Sequence, residues 1–169
     1  MFVTERLHIQ AWRPTDGEAF FQLLQDEGFH SHTITIYRQS DLATAQRWLE
    51  AETESFLQTG LGMLAVWEKT GALIGMAGLK PPLVDDRVEI TYRLRQSAWG
   101  KGYATEAART LLDYGFHQLQ LPRIAASITP DNTASRKVLA KLGMHLTNTE
   151  ILKGVLAEIY AIEQASWRG

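Results

Sequence analysis

The spacing of apolar and polar positions changes several times along the chain, and each change marks an element. Leu7, Ile9 and Ala11 alternate with His8, Gln10 and Trp12, the period of a strand. Arg13 to Glu18 opens a helix, with Thr15 as N-cap and Glu18 three residues on in a capping box, and Ala19, Phe20, Leu23 and Leu24 supply its apolar face. A second helix is predicted from its N-cap Asp41 to about Gln58, closed by Thr59-Gly60. Its inner stripe is Leu42, Ala45, Trp48, Leu49, Glu52 and Phe56, interrupted only by the glutamate. Residues 63–67 and 73–79 read as strands joined by a hairpin at Lys69-Thr-Gly71, and Gly75 and Gly78 mark a bulge or a close backbone approach. A β-branched and aromatic run predicts a strand over 88–95. Ala104, Ala107, Ala108, Leu111, Leu112, Gly115 and Leu119 then fall on one helical face. A strand over 123–128, a short helix over 133–142 closed by Gly143, and two strands about a turn at Lys153-Gly154 complete the order β-α-α-β-β-β-α-β-α-β-β. Residues 81–87 read as a polar connection, and residues 25–40 have no clear period. His30 and His32 lie there as two candidate metal ligands, but no third is placed to join them, so no metal is expected.

Size and composition narrow the classes. At 169 residues, with 45% hydrophobic and 21% charged positions, the chain is an ordinary globular sequence and is expected to form one domain over residues 1–169. A net charge of -2 gives no reason to expect nucleic acid or an anionic membrane as a partner. With no cysteine, disulfides and thiolate metal sites are excluded. The first residues lack the basic and apolar blocks of a signal peptide and no apolar run approaches about 18 residues, so the cytoplasm is the default expectation.

The chemistry concentrates where the strand over 88–95 meets the following helix, at Trp99-Gly-Lys-Gly-Tyr-Ala-Thr105. Two glycines permit positive φ and a close backbone approach, and the helix start offers unsatisfied N–H groups and the positive end of its dipole. Strand, glycine turn and helix start make an anion site suited to a phosphate or pyrophosphate, to which Lys101 adds a charge. A P-loop is excluded because no Gly-Lys-Ser/Thr follows. A Rossmann fingerprint is excluded because the third glycine and the later acidic residue are missing. Taken alone, the Gly-x-Gly also reads as a tight turn that packs the helix on its strand.

Together with the linked segment Leu121 to Met144, these residues resemble the GNAT family of acetyl-CoA-dependent N-acetyltransferases, and specifically its Rim-type branch. The family's pyrophosphate motif, Gln/Arg-x-x-Gly-x-Gly/Ala, is matched by Gly102 and Ala104 at its fourth and sixth positions, while Trp99 departs from the first. The resemblance extends from Thr4-Glu-Arg-Leu7 to the last strand. It implies an α/β (α+β) fold: a mixed, mostly antiparallel sheet of six to seven strands with about four helices, splayed between the fourth and fifth strands. It also implies acetyl-CoA as cosubstrate and an amine acceptor, either a protein N-terminus or a small amine such as a polyamine or aminoglycoside. A homodimer stays open. Residues 25–40 would form the loop that borders the acceptor pocket.

The same resemblance assigns roles. Backbone groups of Tyr92, Arg93 and Leu94 would pair with the pantetheine arm and the acetyl carbonyl, and Gly100, Lys101, Gly102, Tyr103, Ala104 and Thr105 would hold the pyrophosphate. Asn132 matches the asparagine that reaches the pantetheine arm, and it equally suits the N-cap of the helix that follows. The tyrosine that many members use as proton donor is replaced by Leu139; Rim-type members place a serine where Ser135 stands. For the base, Glu89 and Glu150 both match positions used in the family. Arg136, Lys137 and Lys141 either meet the 3′-phosphate or are solvated, and Glu106 is expected to point away from the turn, where it would repel a phosphate. A free α-amine needs little help from a base, whereas a lysine amine costs roughly 3–4 kcal/mol more to deprotonate at 1.36 kcal/mol per unit. The missing tyrosine also leaves a reading from another class, a non-catalytic acyl-CoA-binding sensor or scaffold.

Overall fold

The structure, a computed structural model, describes residues 1–30, 41–81 and 87–169. Eight strands form one sheet: β1 (Phe2–Val3), β2 (Leu7–Gln10), β3 (Gly62–Glu68), β4 (Leu73–Lys80), β5 (Glu89–Leu94), β6 (Arg123–Ile128), β7 (His145–Leu152) and β8 (Val155–Glu163). Their spatial order is β1-β2-β3-β4-β5-β6-β8-β7, antiparallel throughout except for the β5–β6 pair. Five α-helices accompany them: α1 (Gly17–Leu23), α2 (Glu27–His30), α3 (Leu42–Thr59), α4 (Tyr103–His117) and α5 (Thr133–Lys141).

The expected α/β architecture is present, with one strand and one helix more than the periodicity reveals. Both additions are too short to carry a period: β1 is a two-residue pairing of Phe2 with Ile9, and α2 is a single turn. The helix caps fall mostly as the residue types demand. Asp41 accepts the Thr44 amide at 2.6 Å, and Gly60 and Gly143 close α3 and α5 at positive φ. Thr15 does not cap α1. Buried Asp16 closes the preceding turn instead, accepting the Arg13 amide at 2.9 Å, and the helix begins at Gly17. Trp12, expected on the polar side of its strand, is buried and donates its indole N–H to the Met63 carbonyl at 2.8 Å. Its ring needs an apolar cover and its N–H an acceptor, and both lie beyond the end of β2.

Helices cover the sheet on both faces. On one side α4 and α5 bury Ala107, Leu111, Leu112, Phe116 and Leu139 against Leu79, Ile90 and Ile124. On the other, α1 and α3 bury Phe20, Leu23, Ala45 and Leu49 against Met63, Ala65 and Met76. Leu42, expected inside, is exposed, because it begins α3 beyond the reach of this core. Glu52, the polar break in the α3 stripe, reaches the start of β3: its carboxylate accepts the Met63 amide at 2.7 Å, and burial pushes its pKa up. Gly75 and Gly78 mark close approach: a Cβ at Gly78 would sit 2.0 Å from the Gly62 carbonyl oxygen, and one at Gly75 2.1 Å from that of Arg93.

What positions the site is the parting of β5 and β6. They share one register pair, Glu89 with Ala125, closed by the Ala125 amide on the Val88 carbonyl at 2.9 Å. Beyond it the strands diverge, in the place where a splay between the fourth and fifth predicted strands is expected.

Candidate functional site

Backbone groups alternate in direction along a strand, so the register of β5 tells which of them face the opening. Leu94 pairs with Gly75 of β4, and the Arg95 amide donates to the Ile74 carbonyl at 2.8 Å. Residues 89, 91 and 93 therefore spend their backbone groups on β4, and residues 90, 92 and 94 turn theirs toward β6. Arg93 thus leaves the expected set of backbone partners. The amide and carbonyl of Tyr92 and the amide of Leu94 remain, while the Leu94 carbonyl accepts the Trp99 indole at 2.8 Å. Trp99 serves the main chain here, holding the exit of β5 against the turn.

The turn itself offers a second row of backbone donors. Gly100 and Gly102 lie at φ +74° and +83°, a conformation that side chains with a Cβ resist. Among the described residues, the amides from Gly100 to Thr105 enter no hydrogen bond. They sit at the N-terminus of α4, a 15-residue helix, where the dipole favours negative charge. Gly100, Gly102, Tyr103, Ala104 and Thr105 line one cleft of about 820 Å³ with Tyr92, Leu94, Asn132 and Ser135. Lys101, expected among them, is not part of the wall; its carbonyl accepts Arg6 Nη1 at 2.8 Å.

Arg6 is the residue that sequence reasoning missed. Its guanidinium lies 4.7 Å over the Tyr103 ring and pairs with Glu106 at 2.6 Å. Glu106 is held by Thr4 and by the Arg6 amide as well, so its carboxylate points away from the turn as expected. Burial pushes that carboxyl up, but Thr4 and Arg6 outweigh it and hold it below the usual range. No local pattern announces this brace, because its partners lie about a hundred residues apart in sequence.

The remaining groups divide between the two sides of the sheet. On the α5 side, Asn132 caps the helix, its Oδ1 accepting the Ser135 amide at 3.0 Å; its side-chain NH2 has no partner among the described residues. The Tyr92 hydroxyl donates to the Ser135 carbonyl at 3.5 Å, and burial pushes its pKa up to about 12, so it stays protonated. Leu139 is fully buried in the core. Arg136 does not belong to the cleft, being bound to Glu158 at 2.9 Å, whereas Lys137 and Lys141 line it.

On the opposite side, Glu89 accepts the Ser127 hydroxyl at 2.6 Å and stands across from Lys80. Glu150, facing Ala157 of β8, pairs with Arg87 at 2.7 Å. Both carboxylates line the cleft, as do Lys80, Arg87, Arg93 and Lys153. Of the candidate metal pair, His30 is buried with Nε2 2.6 Å from the Leu24 carbonyl, and His32 lies outside the described residues. So does most of the expected acceptor loop. No helix among the described residues is long and apolar enough to cross a membrane.

A cleft lined by amides that have no partner among the described residues, with acidic and hydroxyl side chains also in its wall, is an arrangement for holding an anionic ligand. Comparison with known proteins agrees. The chain is 32% identical over 165 residues to an uncharacterized N-acetyltransferase, p20, of Bacillus licheniformis, covering 93% of this chain and 91% of that one. Its fold matches that of RimL, a ribosomal-protein α-N-acetyltransferase in complex with coenzyme A (TM-score 0.83, 16% identity, 96% of each chain). It also matches the microcin C7 self-immunity acetyltransferase MccE in complex with acetyl-CoA and AMP (TM-score 0.80, 18% identity, 95% and 93% of the two chains). The family model for the acetyltransferase (GNAT) domain matches residues 6–145, and the chain belongs to the GNAT acetyltransferases.

Proposed function

We propose that the protein transfers the acetyl group of acetyl-CoA to a primary amine by direct attack in a ternary complex. The observation that carries this reading is the row of main-chain amides without a partner among the described residues, those of Gly100, Gly102, Tyr103, Ala104 and Thr105 and those of Tyr92 and Leu94, along one cleft. Its volume is of the size that small-molecule cosubstrate sites require. The amides of residues 100–105 would grip the diphosphate, and Lys137 and Lys141 the phosphate at the nucleotide end. Tyr92 and Leu94 would align the pantetheine arm, with one amide stabilising the oxyanion as charge develops on the carbonyl. The NH2 of Asn132 would reach the same arm while its oxygen keeps the cap.

Bound acetyl-CoA supplies an activated thioester; the chain supplies orientation and proton transfer. The amine enters from the side of Glu89 and Glu150, and one of these carboxylates takes its proton as the C–N bond forms. On the opposite side, the Ser135 hydroxyl, carried on α5, donates a hydrogen bond to the departing sulfur. With the base on one side of the thioester and the hydrogen-bond donor on the other, the amine gives up its proton to the carboxylate while the negative charge left on the sulfur as the C–S bond breaks is held by the Ser135 hydroxyl. Isothermal titration tests the first step: acetyl-CoA binds at micromolar to submillimolar concentration, and no heat at millimolar ligand would end the reading. An acceptor screen that follows free CoA release tests the second and separates an enzyme from a mere binding module.

A further inference from the structure

The acceptor side of the cleft holds an ammonium that no described residue binds directly. Lys80 ends β4 on the face that also carries Glu89 and Arg93, and it lines the cleft. It is half-buried, yet its ammonium has neither a hydrogen bond nor an ion pair among the described residues. The nearby acids are engaged elsewhere: Glu89 with the Ser127 hydroxyl, Glu52 with the Met63 amide, and Glu150 with Arg87. Among the described residues, Arg87, Arg93 and Lys153 line the cleft with Lys80, Glu89 and Glu150, and Arg87 and Arg93 have partners of their own. Burying an ammonium without a hydrogen-bonded counter-ion is costly. Burial first, then repulsion from Arg93, holds the Lys80 pKa below its ordinary value against the longer-range attraction of Glu52 and Glu89.

Building on the acetyltransferase reading, we infer that the acceptor is an amine that also carries an anionic group, a carboxylate or phosphate a few bonds from the nitrogen, and that Lys80 pairs with that group. Residues directly opposite on antiparallel strands stand about 5 Å apart at Cβ. One small molecule can therefore place its anion on Lys80 and its amine beside Glu89. A polyamine or an aminoglycoside would instead bring a second positive charge up to the Lys80 ammonium. The class favoured is thus a zwitterionic one: an amino acid, a short peptide with an acidic side chain or a free carboxylate, or an aminoalkyl phosphate.

Matched pairs of probes test this on the full chain loaded with acetyl-CoA: β-alanine against β-alaninamide, phosphoethanolamine against ethanolamine, and the C-terminal amide of Ala-Asp against that of Ala-Asn, with spermidine as a polycation. The expected result is a kcat/KM at least tenfold higher for the anionic member of one or more pairs. In Lys80→Gln that ratio falls to threefold or less, mainly through KM, while acetyl-CoA affinity is unchanged; Lys80→Arg restores part of it. The carboxylate and phosphate pairs show which anion is meant. Where turnover is slow, titration of the CoA-loaded protein gives the same comparison by binding alone. Equal handling within every pair, a preference that survives Lys80→Gln, spermidine as the best acceptor, or no binding of any anionic probe at 10 mM each overturns the inference. If acetyl-CoA itself does not bind, the cosubstrate reading falls and this one with it; if it binds normally and the preference is absent, this inference alone falls.

Discussion

On the α4 side of the splay, the groups along the cleft belong mostly to the main chain: amides of Gly100, residues 102–105, Tyr92 and Leu94, set by two positive-φ glycines and by strand alternation. On the α3 side they are charged side chains, Lys80, Arg87, Glu89, Arg93 and Glu150, standing on strands or flanking them. The two sides follow different rules. A backbone site depends on φ, register and a helix start, so many side chains can change around it without altering what it binds. A side-chain site alters with a single substitution. A cleft built this way keeps its cosubstrate while its acceptor is free to vary.

The largest effect that would sharpen this contrast comes from the two carboxylates. Glu89→Gln and Glu150→Gln are nearly isosteric, and removing the true base is expected to lower kcat by about a hundredfold, within the usual range for general-base catalysis. The other variant should retain most of kcat, since its partner, Ser127 or Arg87, keeps the wall in place. Full activity in both variants would mean that the amine arrives unprotonated and needs no base.

Next in size is Gly102→Val, aimed at the backbone side. A β-branched side chain at φ +83° is strained, and its Cβ would stand 3.4 Å from the Arg6 guanidinium that braces the turn, so the turn that presents the amides would shift. Acetyl-CoA affinity measured by calorimetry is expected to fall at least tenfold, about 1.4 kcal/mol. Unchanged affinity would remove the anion role from this turn. Ser135→Ala should act on the opposite parameter, lowering kcat by about fivefold to tenfold at constant CoA affinity, less than a full acid–base residue because a hydroxyl is a weak acid. An unaltered rate would take Ser135 out of the mechanism.

The contrast between the two sides also explains how much was legible in the sequence. The glycine turn, the α4 face, the caps at Asp41 and Asn132 and the αL glycines at Gly60 and Gly143 were readable because each is a local requirement of the backbone. Arg93 was misassigned as a backbone ligand because the direction of its amide follows from pairing with Met76, seventeen residues away. The Arg6 brace and the Lys80 environment were invisible for the same reason, since tertiary contact alone brings their partners together. Thr15 failed as a cap because a buried aspartate one residue on closes the turn more strongly.

The smallest effect separates two roles that share one residue. Asn132 caps α5 through its oxygen and is proposed to reach the pantetheine arm through its nitrogen. Asn132→Ala removes both, and the lost cap alone should cost about 1 kcal/mol of stability. In a chain of this size that lowers the melting temperature by roughly 2–4 °C. Asn132→Asp keeps an acceptor for the Ser135 amide but has no N–H to donate, so it should melt with the wild type while its KM for acetyl-CoA rises severalfold. If the aspartate variant matches wild type in both measurements, the residue is only a cap; if it melts early with normal KM, the cap needs the neutral amide. Only stability held and KM raised leaves Asn132 as the point where a side chain joins the backbone in holding the cosubstrate.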